Sequence, residues 1–379
     1  MKIFYEGTPL FKNKNIPQAG IAHYVYHIFL ELKKLDKKNS YEVFGLNFFG
    51  KSQEFRENFP KGTKFHLIRY IPGKVWNFSN RRLVLPPLEV LLGKKANVFI
   101  FTQFRLYPTL LSKKRYVMIH DIAFEHMPQY IETKNLQYLK RRVPEAAKKA
   151  DKIITISQST RNDLIATYDV APDKIIVAPC AVDAKRYRST KLTKEIIKKY
   201  NLPSKYVLYL GTMEPRKNLK RLVDAYAELP KKLKAQYPLV LAGGKGWNDE
   251  PILKAIKKAR ESSTIIQTGY VDEQDIPALY SGARAFLYPS NYEGFGMQIL
   301  ESMACNTPVL TGKNSSLPEV GGDAALYVDE KNVVSISKGI EKLLTDDKLV
   351  EEMIKKGKVQ ITKFSWQESA QTIVDSINE

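Results

Sequence analysis

The sequence predicts an α/β protein built from two doubly wound parallel sheets in tandem. Three observations carry that expectation. Short apolar runs alternate with stretches of helical periodicity from the N-terminus to about residue 310, the pattern of parallel strands joined by crossover helices. From residue 205 onward, each apolar run exits into a loop containing glycine, as at the ligand-facing edge of an open sheet. Finally, 379 residues exceed what one core ordinarily organises.

Met1–Glu6 reads as the first strand and not as a signal peptide, because Glu6 and Lys12 interrupt any apolar region. Pro17-Gln18-Ala19-Gly20 then leads into a helix opened by Gly20, with Ile21, Val25, Ile28, Phe29 and Leu32 on one face. Strand-like runs follow at Tyr41–Gly45, Phe65–Ile68, Asn97–Phe101, Tyr116–His120, Lys152–Ile156 and Ile175–Ala178. His120-Asp121 stands at the carboxyl end of its strand, where open sheets bind ligands. Lys134–Arg142 reads as an amphipathic helix with Leu136, Leu139 and Val143 apolar, suited to the sheet or to an anionic membrane. Ser159 reads as a cap for a helix from about Thr160.

After a Lys-rich connector over 183–204, the pattern restarts. Tyr206–Leu210, Leu239–Ala242, Ile265–Thr268, Ala285–Tyr288 and Pro308–Leu310 read as strands. Their exits place Arg216, Lys217 and Lys245 on one edge, and cations on strand-exit loops suit a diphosphate. The exit after Tyr288 matters most. Gly294 and Gly296 allow a tight turn, and a helix begins near Ile299. Glu293 therefore lies on the loop and Glu301, eight positions on, lies in the helix. The helix end suits a phosphate and the carboxylates suit hydroxyl groups. Residues from Val333 to Glu379 read as helical, broken at Phe364-Ser365-Trp366, with Ser365 as a cap.

The chain is 44% hydrophobic and 26% charged, which excludes a disordered polymer. It has no apolar run of about 18 residues, the length of a membrane span. Cys180 and Cys305 alone imply a reducing cytoplasm and no disulfide framework. The net charge of +20 is uneven: residues 1–150 hold 27 Lys and Arg against 11 Asp and Glu, the remainder 33 against 29. A balance of +16 in the first part calls for nucleic acid, an anionic membrane or a phosphorylated substrate, unless it only solubilises the chain.

The motifs resemble family 4 of the retaining glycosyltransferases, with a GT-B fold of two Rossmann-like domains facing each other across a cleft. Glu293 to Glu301 resembles the family's E-x7-E motif. Gly211-Thr212-Met213-Glu214-Pro215-Arg216-Lys217-Asn218, Ser315–Val320, Phe364-Ser365-Trp366, Ala19–Ala22, His120-Asp121 and Ser157–Leu164 are similar to it as well. In look the chain is nearest to bacterial mannosyltransferases of O-antigen and related polysaccharides.

That resemblance implies an acceptor domain over 1–183, a donor domain over 184–362, and a last helix over 363–379 packing back on the first domain. It implies that Lys217 and Arg216 neutralise a donor diphosphate, that Glu301 holds the ribose and that Glu293 contacts the transferred sugar. The amides of Gly294, Phe295 and Gly296 would face sugar hydroxyls. His120 would reach the sugar from the other domain, and Gly20 would lie beside the diphosphate and acceptor. Val271 and Glu273 would meet the base, with Gly211, Lys245 and Leu300 completing the donor side. Ala19 and His23 depart from the family's usual glycine and arginine, Gln298 from proline and Asn306 from glycine.

The chemistry expected is front-face transfer with retention, the leaving phosphate taking the acceptor's proton and cations stabilising the leaving group in place of a metal. No cofactor is expected, and Asp346-Asp347 reads as surface. Glu273 can accept from N1–H and N2–H of guanine, which favours GDP-mannose; a UDP-sugar donor, such as for glucosyl transfer, stays open. The acceptor is expected to be a saccharide or a lipid-diphosphate-linked saccharide, with the protein peripheral on the inner membrane face. The alternatives are a basic nucleic-acid-binding protein without activity, disfavoured because its basic residues are not interleaved with aromatics, and another GT-B enzyme such as an epimerase or a pyridoxal-dependent phosphorylase.

Overall fold

In the computed structural model the described residues are 1–12, 20–46, 59–68 and 86–379. They form two units: Met1–Ile122 with Lys134–Cys180 and Trp366–Glu379, and Ala123–Thr133 with Ala181–Ser365.

The first unit carries strands β1 (Lys2–Glu6), β2 (Ser40–Leu46), β3 (Phe65–Ile68), β4 (Val98–Phe101), β5 (Lys114–Met118), β6 (Lys152–Thr155) and β7 (Ile175–Val177). They lie in the order β3-β2-β1-β4-β5-β6-β7, and every pairing is parallel. Such strands are covered on both faces, which is why they read as continuous apolar runs; all four residues of β4 are buried. Tyr5 pairs with Val43 on one side and Ile100 on the other, and its hydroxyl donates to Val25 O at 2.7 Å. That bond fixes the helix Gly20–Leu35, whose buried face is Ala22, Tyr24, Val25, Ile28, Phe29 and Leu32. Ile21, expected on that face, is exposed. Burying each large apolar side chain there contributes about 1.5–3 kcal/mol.

The helix Trp366–Asn378 belongs to this unit. Tyr116 Oη donates to Ser376 O at 2.8 Å and Ser369 Oγ to Pro179 O at 2.7 Å. One local reading changes. Ser157, in extended backbone, accepts from Thr160 N at 3.0 Å and caps Gln158–Tyr168, so Ser159 lies inside the first turn. The helix Thr133–Lys149 buries Val143, Ala146 and Ala147, while Leu136 and Leu139 are half-buried. Pro17 to Ala19 lie outside the described residues.

The second unit carries β8 (Val207–Leu210), β9 (Leu239–Ala242), β10 (Ile265–Gly269), β11 (Ala285–Tyr288), β12 (Val309–Gly312) and β13 (Ala325–Val328), in the order β10-β9-β8-β11-β12-β13, again all parallel. The edge strand β13 is less covered than its neighbours: Ala325 to Tyr327 are only half-buried. Asp346 caps the helix Asp347–Gln360 by accepting from Leu349 N at 2.9 Å. In each sheet the chain winds outward in opposite directions from one central pair, β1 and β4 or β8 and β11. Ligands of open sheets bind at that switch point, beyond the carboxyl ends of the strands.

Candidate active site

The exits of β8 and β9 meet closely because glycines let them. At Gly243, with φ +136°, a Cβ would lie 2.0 Å from Gly211 O, so the exits of β8 and β9 touch backbone to backbone. Gly211 N donates to Ala242 O at 2.9 Å and Met213 N to Gly244 O at 3.1 Å. Met213 also bridges to Lys245, whose side chain is exposed on that edge. Pro215–Lys217 then forms one 3-10 turn, closed by Asn218 in the left-handed conformation at φ +61°. Asn218 Nδ2 donates to Pro289 O at 2.9 Å and Glu330 O at 2.7 Å, tying this loop to the exit of β11.

Arg216, Lys217 and Glu293 are thereby brought together at the switch point. Glu293 Oε1 accepts from Lys217 Nζ at 2.7 Å, Tyr288 Oη at 2.8 Å and Ser290 Oγ at 2.7 Å. Its Oε2 accepts from Arg216 Nη1 at 2.8 Å, and Arg216 Nη2 reaches Glu214 Oε1 at 2.7 Å. Glu293 is 6% exposed, Lys217 8% and Glu214 3%, so these charges face protein and not bulk water. Burial alone would raise the Glu293 carboxyl. The charges of Arg216 and Lys217, with hydrogen bonds from Lys217 and Ser290, outweigh it and hold the group at about 2. For Lys217, burial lowers the pKa, and the ion pair with Glu293 works against that. Sequence reasoning missed Tyr288 and Ser290 as partners, since a tyrosine ending an apolar strand looks like core.

Past Glu293 the backbone turns through Gly296 at φ +94°, a conformation that favours glycine. Ser316 Oγ lies 2.8 Å from Glu293 O and 2.9 Å from Phe295 O. Gly294 and Phe295 are buried, and the Phe295 ring meets Phe364 edge-on at 5.4 Å. The helix Met297–Ala304 follows, with Leu300 fully buried and Glu301 half-buried.

Glu301 belongs to a second cluster. Tyr280 Oη donates to its Oε2 at 3.1 Å, and Tyr187 beside it favours the charged form. Burial pushes the Glu301 carboxyl up to about 7; Tyr187, Tyr280 and the charge of Arg186 act downward and Glu273 upward. Glu273 does not stand alone on its loop: its Oε2 takes Arg186 Nη1 at 2.8 Å, and its carbonyl takes Arg186 Nη2 at 2.9 Å. Val271, two residues before, is buried. Arg186 and Tyr187 were missed because they sit in a stretch that reads as a polar connector.

In the first unit, Gly20 is the exposed first residue of its helix, and its neighbour Ala19 lies outside the described residues. His120 lies two residues beyond the end of β5 and is buried. Its Nε2 is 3.2 Å from Thr102 O, which assigns the proton to that nitrogen, and burial lowers its pKa. Tyr24 and Phe104 meet its ring edge-on at 5.4 and 5.3 Å. Thr102 N in turn donates to Glu6 Oε2 at 2.9 Å. Among the described residues, no group of three or more His, Cys, Asp or Glu is placed to hold a metal ion.

Two parallel, doubly wound α/β units, one with a buried carboxylate between two cations at its switch point, are the architecture of the GT-B glycosyltransferases. Residues 193–360 match the family profile described as glycosyl transferases group 1, and residues 19–186 match that of glycosyltransferase family 4. The chain is 31% identical over 379 residues to O-antigen chain mannosyltransferase B of Escherichia coli, spanning 98% of both proteins. It is 35% identical over 242 residues to the serotype-specific mannosyltransferase WbdA of Escherichia coli, 60% of this chain but 28% of that longer one. The crystal structure of Anabaena HepE in complex with UDP and glucose shares the fold, with a TM-score of 0.74 at 16% identity over 100% of this chain and 99% of that one. The protein belongs to glycosyltransferase family 4.

Proposed function

We propose that the protein is a retaining hexosyltransferase that moves mannose from GDP-mannose to a saccharide or lipid-linked saccharide acceptor in cell-surface polysaccharide synthesis, without a metal ion. The whole-length likeness to an O-antigen mannosyltransferase carries the choice of sugar. The Arg216–Lys217–Glu293 cluster carries the mechanism.

Breaking the glycosyl–phosphate bond places negative charge on the departing diphosphate. Lys217 and Arg216, fixed by their loop, stabilise it as it forms. The same contact draws them away from Glu293, whose carboxylate then faces the positive charge growing at the sugar. The acceptor hydroxyl attacks from the side the phosphate leaves, and the phosphate takes its proton. Glu301 accepts from the ribose hydroxyls. Gly211, Lys245, Gly294, Phe295, Gly296 and Leu300 shape the donor side, and Val271 and Glu273 shape the base loop. His120 and Gly20, in the first unit, serve turnover.

Thermal-shift binding of GDP, UDP, GDP-mannose and UDP-glucose tests this, with Glu301→Ala alongside. A ligand that binds only the native state raises its midpoint. We expect stabilisation by the GDP forms, lost in the variant. Stabilisation by UDP forms alone would keep the enzyme class and overturn the base.

The acceptor reading includes an anionic membrane. Val90, Leu110 and Leu111 are 64%, 68% and 50% exposed. Exposed Lys94, Lys95 and Lys113 follow them in sequence. The Glu89 carboxylate accepts from Leu110 N and Leu111 N, which holds that backbone inward. Co-sedimentation with vesicles should rise with anionic lipid and fall with salt; indifference to both would refute it.

A further inference from the structure

Glu301 and Glu273 stand on different elements, one in the helix after β11 and the other in the loop after β10. A third segment joins them. Arg186 grips Glu273 twice, through the carboxylate at 2.8 Å and the carbonyl at 2.9 Å. Its guanidinium carbon lies 5.2 Å from the centre of the Tyr187 ring. Tyr187 favours the charged form of Glu301, and its ring stands 6.5 Å from that of Tyr280, whose hydroxyl donates to Glu301 at 3.1 Å. Arg186 is 22% exposed and Glu273 21%, so their pair is more than a solvated surface contact.

We propose that Arg186 and Tyr187 are positioning residues of the donor site: Arg186 fixes the loop that meets the base, and Tyr187 aims the Glu301 carboxylate at the ribose. The proposal rests on the donor-site reading above. Holding both carboxylates from one dipeptide sets their separation, and so selects a nucleoside that spans them. Loose, the two acceptors would each lose orientation on binding.

A structural role alone would not change how the site titrates. The groups facing Glu301 are Tyr187, Tyr280, Arg186, Glu273 and Cys305. Arg186 is the cation among them and Tyr187 carries a hydroxyl, and both favour the carboxylate form. Removing either makes Glu301 harder to ionise.

The experiment is calorimetric binding of GDP-mannose to the full chain from about pH 5.5 to about pH 8.5, where its diphosphate diester does not titrate. Native protein, Arg186→Ala, Arg186→Lys, Tyr187→Phe and Glu301→Ala are compared. Native affinity should rise with pH through Glu301. Arg186→Ala and Tyr187→Phe should move that rise to higher pH and weaken binding at least about threefold at pH 7, with less loss at the alkaline end. Arg186→Lys should restore the position of the rise, because it keeps the charge. A rise unmoved in Arg186→Ala and Tyr187→Phe, with binding lost in Glu301→Ala, overturns the proposal and leaves the donor site standing. Native-like binding by Glu301→Ala overturns the donor site itself. Should Arg186→Ala fail to fold, Arg186→Lys and Tyr187→Phe decide.

Discussion

Lys217 Nζ donates to Glu293 Oε1 at 2.7 Å, in a site where each residue is less than a tenth exposed. Removing Glu293 leaves Lys217 buried without this ion pair, whereas removing Lys217 leaves Glu293 paired with Arg216 alone. Glu293→Gln should lose about 3 kcal/mol of stability at pH 7. Its transferase rate should fall about a hundredfold or more. Chemical denaturation and single-turnover kinetics measure the two effects.

Acid should reveal the same pair. Glu293 ionises at about 2 in the folded chain against 4.5 ordinarily. The folded pKa is depressed, so its contribution is full above pH 4.5 and disappears as pH falls toward 2. The gap corresponds to about 3 kcal/mol. The stability of Glu293→Gln should be flatter than native over that window in urea titrations.

Lys217 and Arg216 should matter for phosphate and not for base. Lys217→Met should weaken GDP binding about tenfold or more while leaving guanosine nearly unchanged, since a nucleoside has no diphosphate to pair. Isothermal titration separates the two; equal losses would show that the loop had merely collapsed.

His120 should stay neutral at pH 6.5. Burial lowers its pKa below the ordinary 6.5, and Thr102 O fixes the proton on Nε2. Imidazole NMR shifts should show the neutral Nε2–H tautomer, protonating only at lower pH. His120→Ala should lower turnover and keep GDP affinity.

Gly243 tests the scaffold. An alanine there would put Cβ 2.0 Å from Gly211 O at a φ of +136°, whereas at Gly244 nothing lies within 4 Å. Gly243→Ala should destabilise by about 3 kcal/mol, and Gly244→Ala by less than about 0.5 kcal/mol. Thermal unfolding of the two variants makes the comparison.

The strands were legible because parallel strands, buried on both faces, leave unbroken apolar runs. Leu239–Ala242 and Ala285–Tyr288 could be read to the residue, as could the half-buried edge strand Phe65–Ile68. β13 was not read, although Ala324 to Val328 is an apolar run. Ser157 and Ser159 look alike as caps in the sequence, which carries no φ and ψ, and it is Ser157 that has the extended backbone of a cap.

By itself the sequence determined the two-sheet α/β class, the strand exits that bear glycine, Arg216, Lys217 and Glu293 as charged residues on them, and Glu301 in the helix that follows. Those follow from period, composition and local turn chemistry, which are properties of neighbours along the chain. Only the tertiary structure decided the partners. Strand order places β8 beside β11, and so pairs Lys217 with Glu293 across 76 positions. The same folding brings Arg186 to Glu273 across 87. Charge pairing over such separations depends on which strands are neighbours and on what burial leaves facing what, and no local pattern encodes either.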